Sequence, residues 1–541
     1  MAEQIEAAWL KVSSHEELKA EVKKLIGNPL SVWAVAATLE SLGVREIDAR
    51  REFGFDSIFD LADQIYSELK QEIREEEYSE ILYNEKLNTP GPWSQITYFV
   101  TYYFQGLLFS LPLISQILAL FIFRYSLWAW LEFNEAQATL VAFGTITAFV
   151  VTGGFIQVLG HSISSYISSD NYFLAFESSK KIVKAGITGV SAVCFIIVVT
   201  NLIIPFYPWP IVLLAVIYTL LISLLLLTSG VLFALKRRLS ILIIIVAGTL
   251  LVIVNREIFH LSIYLSQWLA MSVTSLLLAG YSWLYFRRTI RKNQEDGASQ
   301  SLPDIEVRNF INYRYFIYGT GYFLFIFMDR LLAWSTGEPP PPFILWFNTP
   351  YEIGMDWALI TLILSFAMLE YSVNIFSRAL KPLQENVWFR ELDRFNTYFK
   401  RLYFKQLLLI IVTGLISIAV TYYAVSSLIV YQDTIPEVRD FFTNFMTTKV
   451  FWIASISYLF LNIGLLHCLF FFTLSKPAFA MHSILAGLAV NFTVGFICSR
   501  VISLEYATLG LLAGSIVFAV VSGLIARTFF KRLDYYYYSA F

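Results

Sequence analysis

The chain has 541 residues, of which 57% are hydrophobic, 17% are aromatic and 15% are charged. About a quarter of the residues of soluble globular proteins are charged, so this composition excludes an ordinary soluble protein. A mean hydropathy of +0.62 indicates instead a chain that lies largely in lipid.

The charges are distributed unevenly along the chain. Residues 1–90 contain 19 acidic and 10 basic residues, whereas residues 91–541 contain 22 acidic and 29 basic residues. We therefore predict an acidic cytoplasmic domain over residues 1–92, followed by a membrane domain. The boundary lies near the sequence NTPGPW, residues 88–93.

The sequence of the acidic domain contains start and stop signals for helices and no strand pattern. Residues 13–27 open on serines, carry acids in the first turn and end on glycine, and a second helix is bounded by Pro29 and Gly43. A third helix is predicted over residues 57–82. Ser57 lies in GFDSIF, which matches the attachment site of acyl carrier proteins, although a plain helix cap explains the same letters. We prefer a cytoplasmic docking module.

Twelve stretches are apolar over about the 20 residues that crossing the hydrocarbon requires. They are 103–123, 137–160, 183–206, 210–235, 239–258, 261–286, 313–335, 353–378, 406–430, 450–473, 477–499 and 505–529. Pro112 interrupts the first of them. The predicted fold class is therefore all-α, a polytopic membrane protein with about 12 transmembrane helices.

The membrane domain divides after its sixth predicted span. Residues 287–312 form its longest polar connection, between a first half over 93–286 and a second half over 313–541. Several transporter folds consist of two such halves, with the substrate handled between them. The sequence thus predicts two six-helix bundles joined by a cytoplasmic linker.

Basic residues predict the orientation. With the acidic domain inside, the inner loops carry 22 lysines and arginines and the outer loops carry 6. Such an excess marks the cytoplasmic side, so we predict a multi-pass protein of the cytoplasmic membrane with both termini in the cytoplasm. "Inner" and "outer" below refer to this orientation.

Residues 381–405 mix aromatic and charged side chains on the inner side. This pattern is typical of an amphipathic helix that lies along the membrane surface. The alternative is that the segment extends the two neighbouring membrane helices into the cytoplasm.

Signatures of catalysis and of metal binding are missing from the sequence. It contains no phosphate-binding glycine loop, nucleophile elbow or zinc-binding histidine pair. The three cysteines lie far apart in apolar runs, without the spacing of metal ligands. We expect no enzyme activity, no cofactor, no metal and no nucleic-acid partner, and we expect any transport to use an external driving force.

Two adjacent charges, Asp329 and Arg330, lie inside the predicted span 313–335. Each charge near the bilayer centre costs about 2.5–3.5 kcal/mol, and neighbours about 100° apart on a helix pair poorly. Partners are therefore expected on the antiparallel span that follows. Arg330 lies near the level of Asp356 and Glu352, although it could instead extend to the outer headgroups.

A second ion pair is predicted nearer the inner side. Arg314 lies 16 residues before Arg330, and Glu370 lies 14 residues after Asp356. Two antiparallel helices with these spacings could form two rungs, so we predict that Arg314 contacts Glu370.

Neither of the two predicted ion pairs includes Asp329. An ionisable residue inside the membrane indicates a functional site, here for a proton, a cation or a substrate hydroxyl. The alternative is a hydrogen bond to a tyrosine, a serine or the backbone of a neighbouring span. His467 and His482 lie toward the inner half of the tenth and eleventh spans and could approach each other, although a lone membrane histidine more often packs.

A resemblance to a known family appears at these charges. The sequence DR before AW, residues 329–334, and the sequence EIGMDWAL, residues 352–359, resemble the PelG family of exopolysaccharide exporters. That family belongs to the multidrug/oligosaccharidyl-lipid/polysaccharide exporter superfamily, whose members have two six-helix bundles facing a central cavity. The acidic amino-terminal domain departs from the short family pattern.

The resemblance implies that the chain exports or flips a polysaccharide or lipid-linked glycan. Asp329, Arg330 and Asp356 are the positions that match. Two alternatives stay open, a flippase for another lipid or small molecule and a membrane scaffold that recruits a polysaccharide synthase. A wide polar cavity between the halves favours transport, and bundles packed shut favour the scaffold.

Overall fold

A computed structural model describes residues 15–26, Pro29 and residues 31–75, 92–293, 302–337, 340–386, 392–431 and 443–538. The described residues form helices, turns and irregular segments, with one isolated bridge. The helices are α1 His15–Ile26, α2 Val32–Ser41, α3 Glu46–Arg51, α4 Ile58–Glu75, α5 Pro92–Phe123, α6 Glu135–Ser168, α7 Tyr172–Ile203, α8 Trp209–Ala234, α9 Arg238–Glu257, α10 Ile263–Asn293, α11 Ile305–Trp334, α12 Thr349–Asn386, α13 Leu392–Tyr431, α14 Phe445–Thr473, α15 Pro477–Val501, α16 Ala507–Phe529 and α17 Leu533–Tyr538.

The helices α6 to α16 are each long and apolar enough to cross a membrane, and α5 completes the predicted twelve as a bent span. The two segments of α5, Ile96–Leu108 and Ser110–Leu120, meet at 59°. Pro112 accounts for the bend, because its ring removes the hydrogen bond to the carbonyl of Leu108, four residues earlier. The all-helical, multi-pass fold class predicted from the sequence is confirmed.

The six helices of each half have the same neighbours. In the first half α6 packs on α8, α8 and α9 pack on α10, and α5 packs on α9. In the second half α12 packs on α14, α14 and α15 pack on α16, and α11 packs on α15. Each of these four pairings recurs six helices later, so the two halves are structural repeats, a relation that the sequence does not reveal.

Among the described residues, the main helix contacts between the halves are those of α5 with α12 and of α6 with α11. Advancing each helix by six positions exchanges these two pairs. The halves are therefore related by a pseudo-two-fold axis between them, and we call the boundary between the halves the seam.

The α6–α11 contact depends on glycine. A Cβ atom on Gly319 would lie 2.4 Å from the carbonyl oxygen of Gly153, and one on Gly153 would lie 2.8 Å from the carbonyl oxygen of Gly319. The backbones thus approach more closely than any side chain allows, as small residues permit in membrane helix packing.

The acidic domain packs α1, α2 and α3 against α4, with α2 and α4 in closest contact. Ser57 caps α4, because its Oγ accepts the backbone N–H of Asp60 at 3.1 Å and donates to the Asp60 carboxylate at 2.7 Å. The helix-cap interpretation of GFDSIF is therefore confirmed. The short helix α3 was not predicted, although Glu46 and Asp48 place acids in its first turn.

The acidic domain also contacts the inner end of the second half. Trp33 of α2 packs edge-on against Tyr535 of α17 at 5.9 Å and beneath the guanidinium of Arg532 at 5.0 Å. Burial lowers the pKa of Lys476, in the loop before α15, and the nearby Glu40 carboxylate opposes that shift. The domain is thus held by the tail and an inner loop of the second half.

The structure also tests the predictions for segment 381–405 and for the three cysteines. The described residues of segment 381–405 continue α12 and α13, as the second alternative supposed, and residues 387–391 lie outside the described residues. Cys194 and Cys468 are buried, and Cys498 is half-buried.

Gly319→Ala should lower the free energy of unfolding by about 1–3 kcal/mol, because an added methyl group meets backbone rather than a side chain that can move. Thermal melting of the purified protein in detergent measures this effect. Gly280→Ala is the matched control, since a Cβ at Gly280 meets nothing within 4 Å and alanine favours the helix. Equal melting temperatures for the two variants would contradict the close-packed seam.

Candidate functional site

Arg330 binds two carboxylates across the α11–α12 pair. Its Nη1 donates to Glu352 at 2.5 Å and its Nη2 donates to Asp356 at 2.9 Å. The indole N–H of Trp334 donates to the second oxygen of Glu352 at 2.8 Å. The predicted outer ion pair is confirmed. The alternative in which Arg330 extends to the headgroups is wrong, because the side chain is buried.

Asp329 points to a different partner. It is fully buried, and the hydroxyl of Tyr351 donates to its Oδ2 at 2.7 Å. Its Oδ1 has no hydrogen-bond partner among the residues that the structure describes. The alternative of a bond to tyrosine therefore holds for one oxygen, and the other oxygen is available to a ligand.

The acidic side chains of this cluster outnumber the basic ones. Asp329, Glu352 and Asp356 surround one guanidinium, that of Arg330. A buried ionised carboxylate without a counter-charge is strongly destabilised. The cluster is therefore arranged to hold additional positive charge, either a proton or a bound cation.

Asp356 is the exposed member of the charged cluster. Its side chain is 65% exposed, although it lies about 10 Å along α12 from the outer end at 1.5 Å per residue. It shares a helix face with Ile363, seven residues later, whose carbonyl accepts from Ser110 of α5 at 3.3 Å. An intramembrane carboxylate normally faces water or the bundle interior rather than lipid, so we expect the exposed side of Asp356 to contact water.

Further buried polar atoms of the second half have no hydrogen-bond partner among the described residues. They are Ser455 Oγ, both side-chain atoms of Asn462, Asn491 Oδ1 and Ser515 Oγ. These atoms lie on α14, α15 and α16, which pack around α11. Unpartnered buried oxygens are costly, so the interior of the second half has oxygen ligands to offer water or a cation. The described residues contain no group of three or more His, Cys, Asp or Glu side chains that could hold a metal ion.

The predicted inner rung is wrong. Glu370 accepts from Arg238 of α9 at 2.8 Å, whereas Arg314 donates to the hydroxyl of its neighbour Tyr313 at 2.9 Å. Residues 16 apart on a helix differ by about 160° in direction, so Arg314 and Arg330 face opposite sides of α11. Equal spacing along the axis therefore did not bring Arg314 to Glu370.

The two membrane histidines are not joined. The Nδ1 of His467 lies 2.8 Å from Ser522 Oγ, and its Nε2 lies 2.8 Å from Tyr403 OH. Ser522 already donates to the carbonyl of Phe518, so His467 donates from Nδ1 and accepts at Nε2. His482 is exposed. His467 thus packs α13, α14 and α16 together, and the joint role is not supported.

Sequence reasoning missed Tyr351 and Arg238. Tyr351 immediately precedes Glu352, and a tyrosine beside a membrane carboxylate is a usable signal for a hydrogen-bond donor. Arg238 was counted among the inner basic residues. Its contact with Glu370 depends on how the halves meet, and no local pattern reports that.

Solved transporters share this fold. A multidrug resistance MATE family transporter of the MOP superfamily, in an outward-facing conformation, is 14% identical with a TM-score of 0.55, covering 81% of this chain and 96% of that one. The Vibrio cholerae MATE transporter VcmN, solved as a mutant, is 15% identical with a TM-score of 0.58, covering 82% and 98%. A MOP superfamily transporter from Pyrococcus furiosus is 12% identical with a TM-score of 0.56, covering 81% and 96%.

At these identities the likeness establishes the fold. The chain has the MATE-like fold of twelve helices in two bundles. No family model matches the sequence, and no curated protein matches it.

Arg330→Met should lower the free energy of unfolding by about 3–5 kcal/mol, because it strands the buried carboxylate of Glu352. Asp356→Asn should cost much less, because Asp356 is exposed and Arg330 keeps its bond to Glu352. Thermal melting and abundance in the membrane measure both variants. Equal losses would show that the network does not depend on the buried pair.

Proposed function

We propose that the protein is a membrane transporter that moves its substrate through the seam between the two halves by alternating access. The observation that carries this proposal is the exposed carboxylate of Asp356, which lies inside a membrane helix and is bonded to the buried Arg330. Arg330 donates hydrogen bonds to both Asp356 and the buried Glu352, and Asp329 is the residue that precedes Arg330. A structural scaffold has no need for a charged network that opens onto water.

Asp329 is the proposed coupling residue. Because the chain has no ATP-binding motif, an ion gradient or the synthesis of the product supplies the driving force. The unpartnered Oδ1 of Asp329 and the excess of carboxylates favour binding of a proton or a monovalent cation. Binding there changes the charge of the network, which gives the two states of the transporter different energies.

A polysaccharide or lipid-linked glycan is the proposed substrate. The resemblance to exopolysaccharide exporters lies in the segment that builds the charged cluster, residues 329–334 and 352–359. Half-buried aromatic side chains line the α6–α11 seam: Phe149, Phe155, Phe316, Phe323 and Phe327. Organic ligands bind to mainly apolar surfaces with a few polar groups, and this seam has that character.

The acidic domain is the proposed docking site for a cytoplasmic glycosyltransferase or synthase. It lies at the inner end of the second half, where a docked enzyme would release its product beside the seam. Part of α2 is already covered by α17. The exposed acids of α1 and α4, such as Glu17 and Asp63, are therefore the proposed contact surface.

Asp329→Asn should abolish transport while leaving the protein folded and inserted, because asparagine keeps the shape and the bond to Tyr351 but cannot ionise. Asp329→Glu should retain part of the activity. The measurement is glycan delivered outside the cell, normalised to the amount of protein in the membrane. Transport at the wild-type level by the asparagine variant would show that Asp329 only packs.

His467→Gln is the matched control, a buried polar residue of the same half that lies outside the charged network. This variant should transport at the wild-type rate once the rate is normalised to the amount of folded protein in the membrane.

Uptake or efflux assays in vesicles containing purified protein distinguish the candidate substrates. Movement of a lipid-linked glycan supports the glycan proposal, and movement of organic cations alone would replace it with a small-molecule transporter.

A further inference from the structure

One ion pair bridges the two halves near the inner surface. Arg238 is the first residue of α9, in the first half, and Glu370 lies in α12, in the second half. Their side chains are joined at 2.8 Å. Arg238 also donates to the carbonyl of Gln105 at 2.8 Å, and Asn374 donates to Glu370 at 3.3 Å. The pair is thus oriented from both sides.

The surrounding seam is closed from this pair toward the membrane centre. Next to Glu370, a Cβ on Gly106 of α5 would lie 2.6 Å from the carbonyl oxygen of Ala367. Farther along, Tyr103 donates to the carbonyl of Leu364 and Ser110 donates to that of Ile363, each at 3.3 Å.

Beyond Ser110 the helix α5 bends away from α12. Its outer part binds the first half instead, where Gln116 donates to Thr249 of α9 at 2.9 Å. On α12 the next turns on the same face lead to Asp356, which is exposed. The α5–α12 side of the seam is thus closed from the inner ion pair to the level of Ile363, and the loop before α12 also bonds Tyr207 and Thr139 of the first half near the outer end.

We propose that the Arg238–Glu370 pair is an inner latch, which holds the inner side of the seam closed and must break before the seam opens to the cytoplasm. This inference rests on the proposed alternating-access function. It assigns Arg238 and Glu370 to the conformational equilibrium rather than to the substrate or the coupling ion.

The degree of burial distinguishes the latch from the Arg330 cluster. The side chains of Arg238 and Glu370 are 16% and 33% exposed, whereas those of Arg330 and Glu352 are 9% and 3% exposed. Both latch residues lie close to the inner surface, so water can solvate each charge once the pair separates. The pair is therefore able to break and re-form, whereas separation of Arg330 from Glu352 would strand buried charges.

Spin labels on opposite halves test the latch without any substrate. The labels replace Lys184 of α7 and Arg527 of α16 on the inner side, or Ile204 and Val501 on the outer side, all of which are exposed. The three native cysteines are first replaced by alanine. Distance distributions are then recorded by pulsed electron–electron resonance in lipid nanodiscs.

Arg238→Gln and Glu370→Gln should each raise the inward-open fraction several-fold, with longer inner distances and shorter outer ones. The double variant with exchanged charges, Arg238→Glu with Glu370→Arg, should partly restore the wild-type distance distribution. Lys449→Gln is the matched control, because Lys449 pairs with Glu505 at 3.4 Å within the second half. It should leave the distribution unchanged.

Unchanged distances in both glutamine variants would overturn the latch, even if Asp329→Asn abolishes transport and so upholds the proposed function. Glu370→Gln keeps a hydrogen-bonding group and folds if the pair is not essential for assembly. If wild-type and variant proteins all show a single state at every pH and ion concentration, alternating access itself is wrong. An equal shift in the Lys449 variant would assign the effect to lost stability and likewise overturn the latch.

Discussion

Arg330 faces the carboxylates of Glu352 and Asp356 and directly follows, on the outer side, the buried Asp329. Without this guanidinium the cluster would contain three acids, two of them buried where water cannot solvate them. With it, two acids are neutralised in part and the third remains able to take a proton or a cation. The arrangement of the second half around α11 follows from this requirement.

The two halves are repeats in helix packing but not in chemistry. In the first half the buried polar contacts that join helices are neutral: Gln116 bonds Thr249, and Tyr218 bonds Gln267. Neutral amides satisfy their hydrogen bonds without an ion, so this half is suited to act as a rigid body. In the proposed mechanism, the charged cluster of the second half is the part whose energy depends on the bound proton or cation.

In the proposed mechanism, the seam links the charged cluster to the change between the two conformations. Asp356, Ile363 and Glu370 follow one another on one face of α12 at intervals of seven residues, or about two turns. The first is exposed, the second contacts α5, and the third binds Arg238. A change of charge near Asp356 therefore acts on the same helix that carries the inner contact, and a rigid helix can transmit that change.

Local patterns in the sequence determined the class of protein. Apolar runs of about 20 residues gave the spans, the distribution of bases gave a predicted orientation, and Pro112 marked the one bent helix. The pairing of Arg330 with Asp356 and Glu352 was also predictable, because α11 and α12 are consecutive antiparallel helices and depth alone brings the charges level.

The tertiary structure decided which helices meet across the molecule. Arg314 has the correct depth for Glu370 but lies about 160° around α11 from Arg330, and Arg238 takes its place from 132 residues away along the chain. The same holds for the repeat of the two halves and for the Gly153–Gly319 contact. Hydropathy and spacing report depth in the membrane, whereas the lateral order and rotation of the helices depend on packing between residues far apart in sequence.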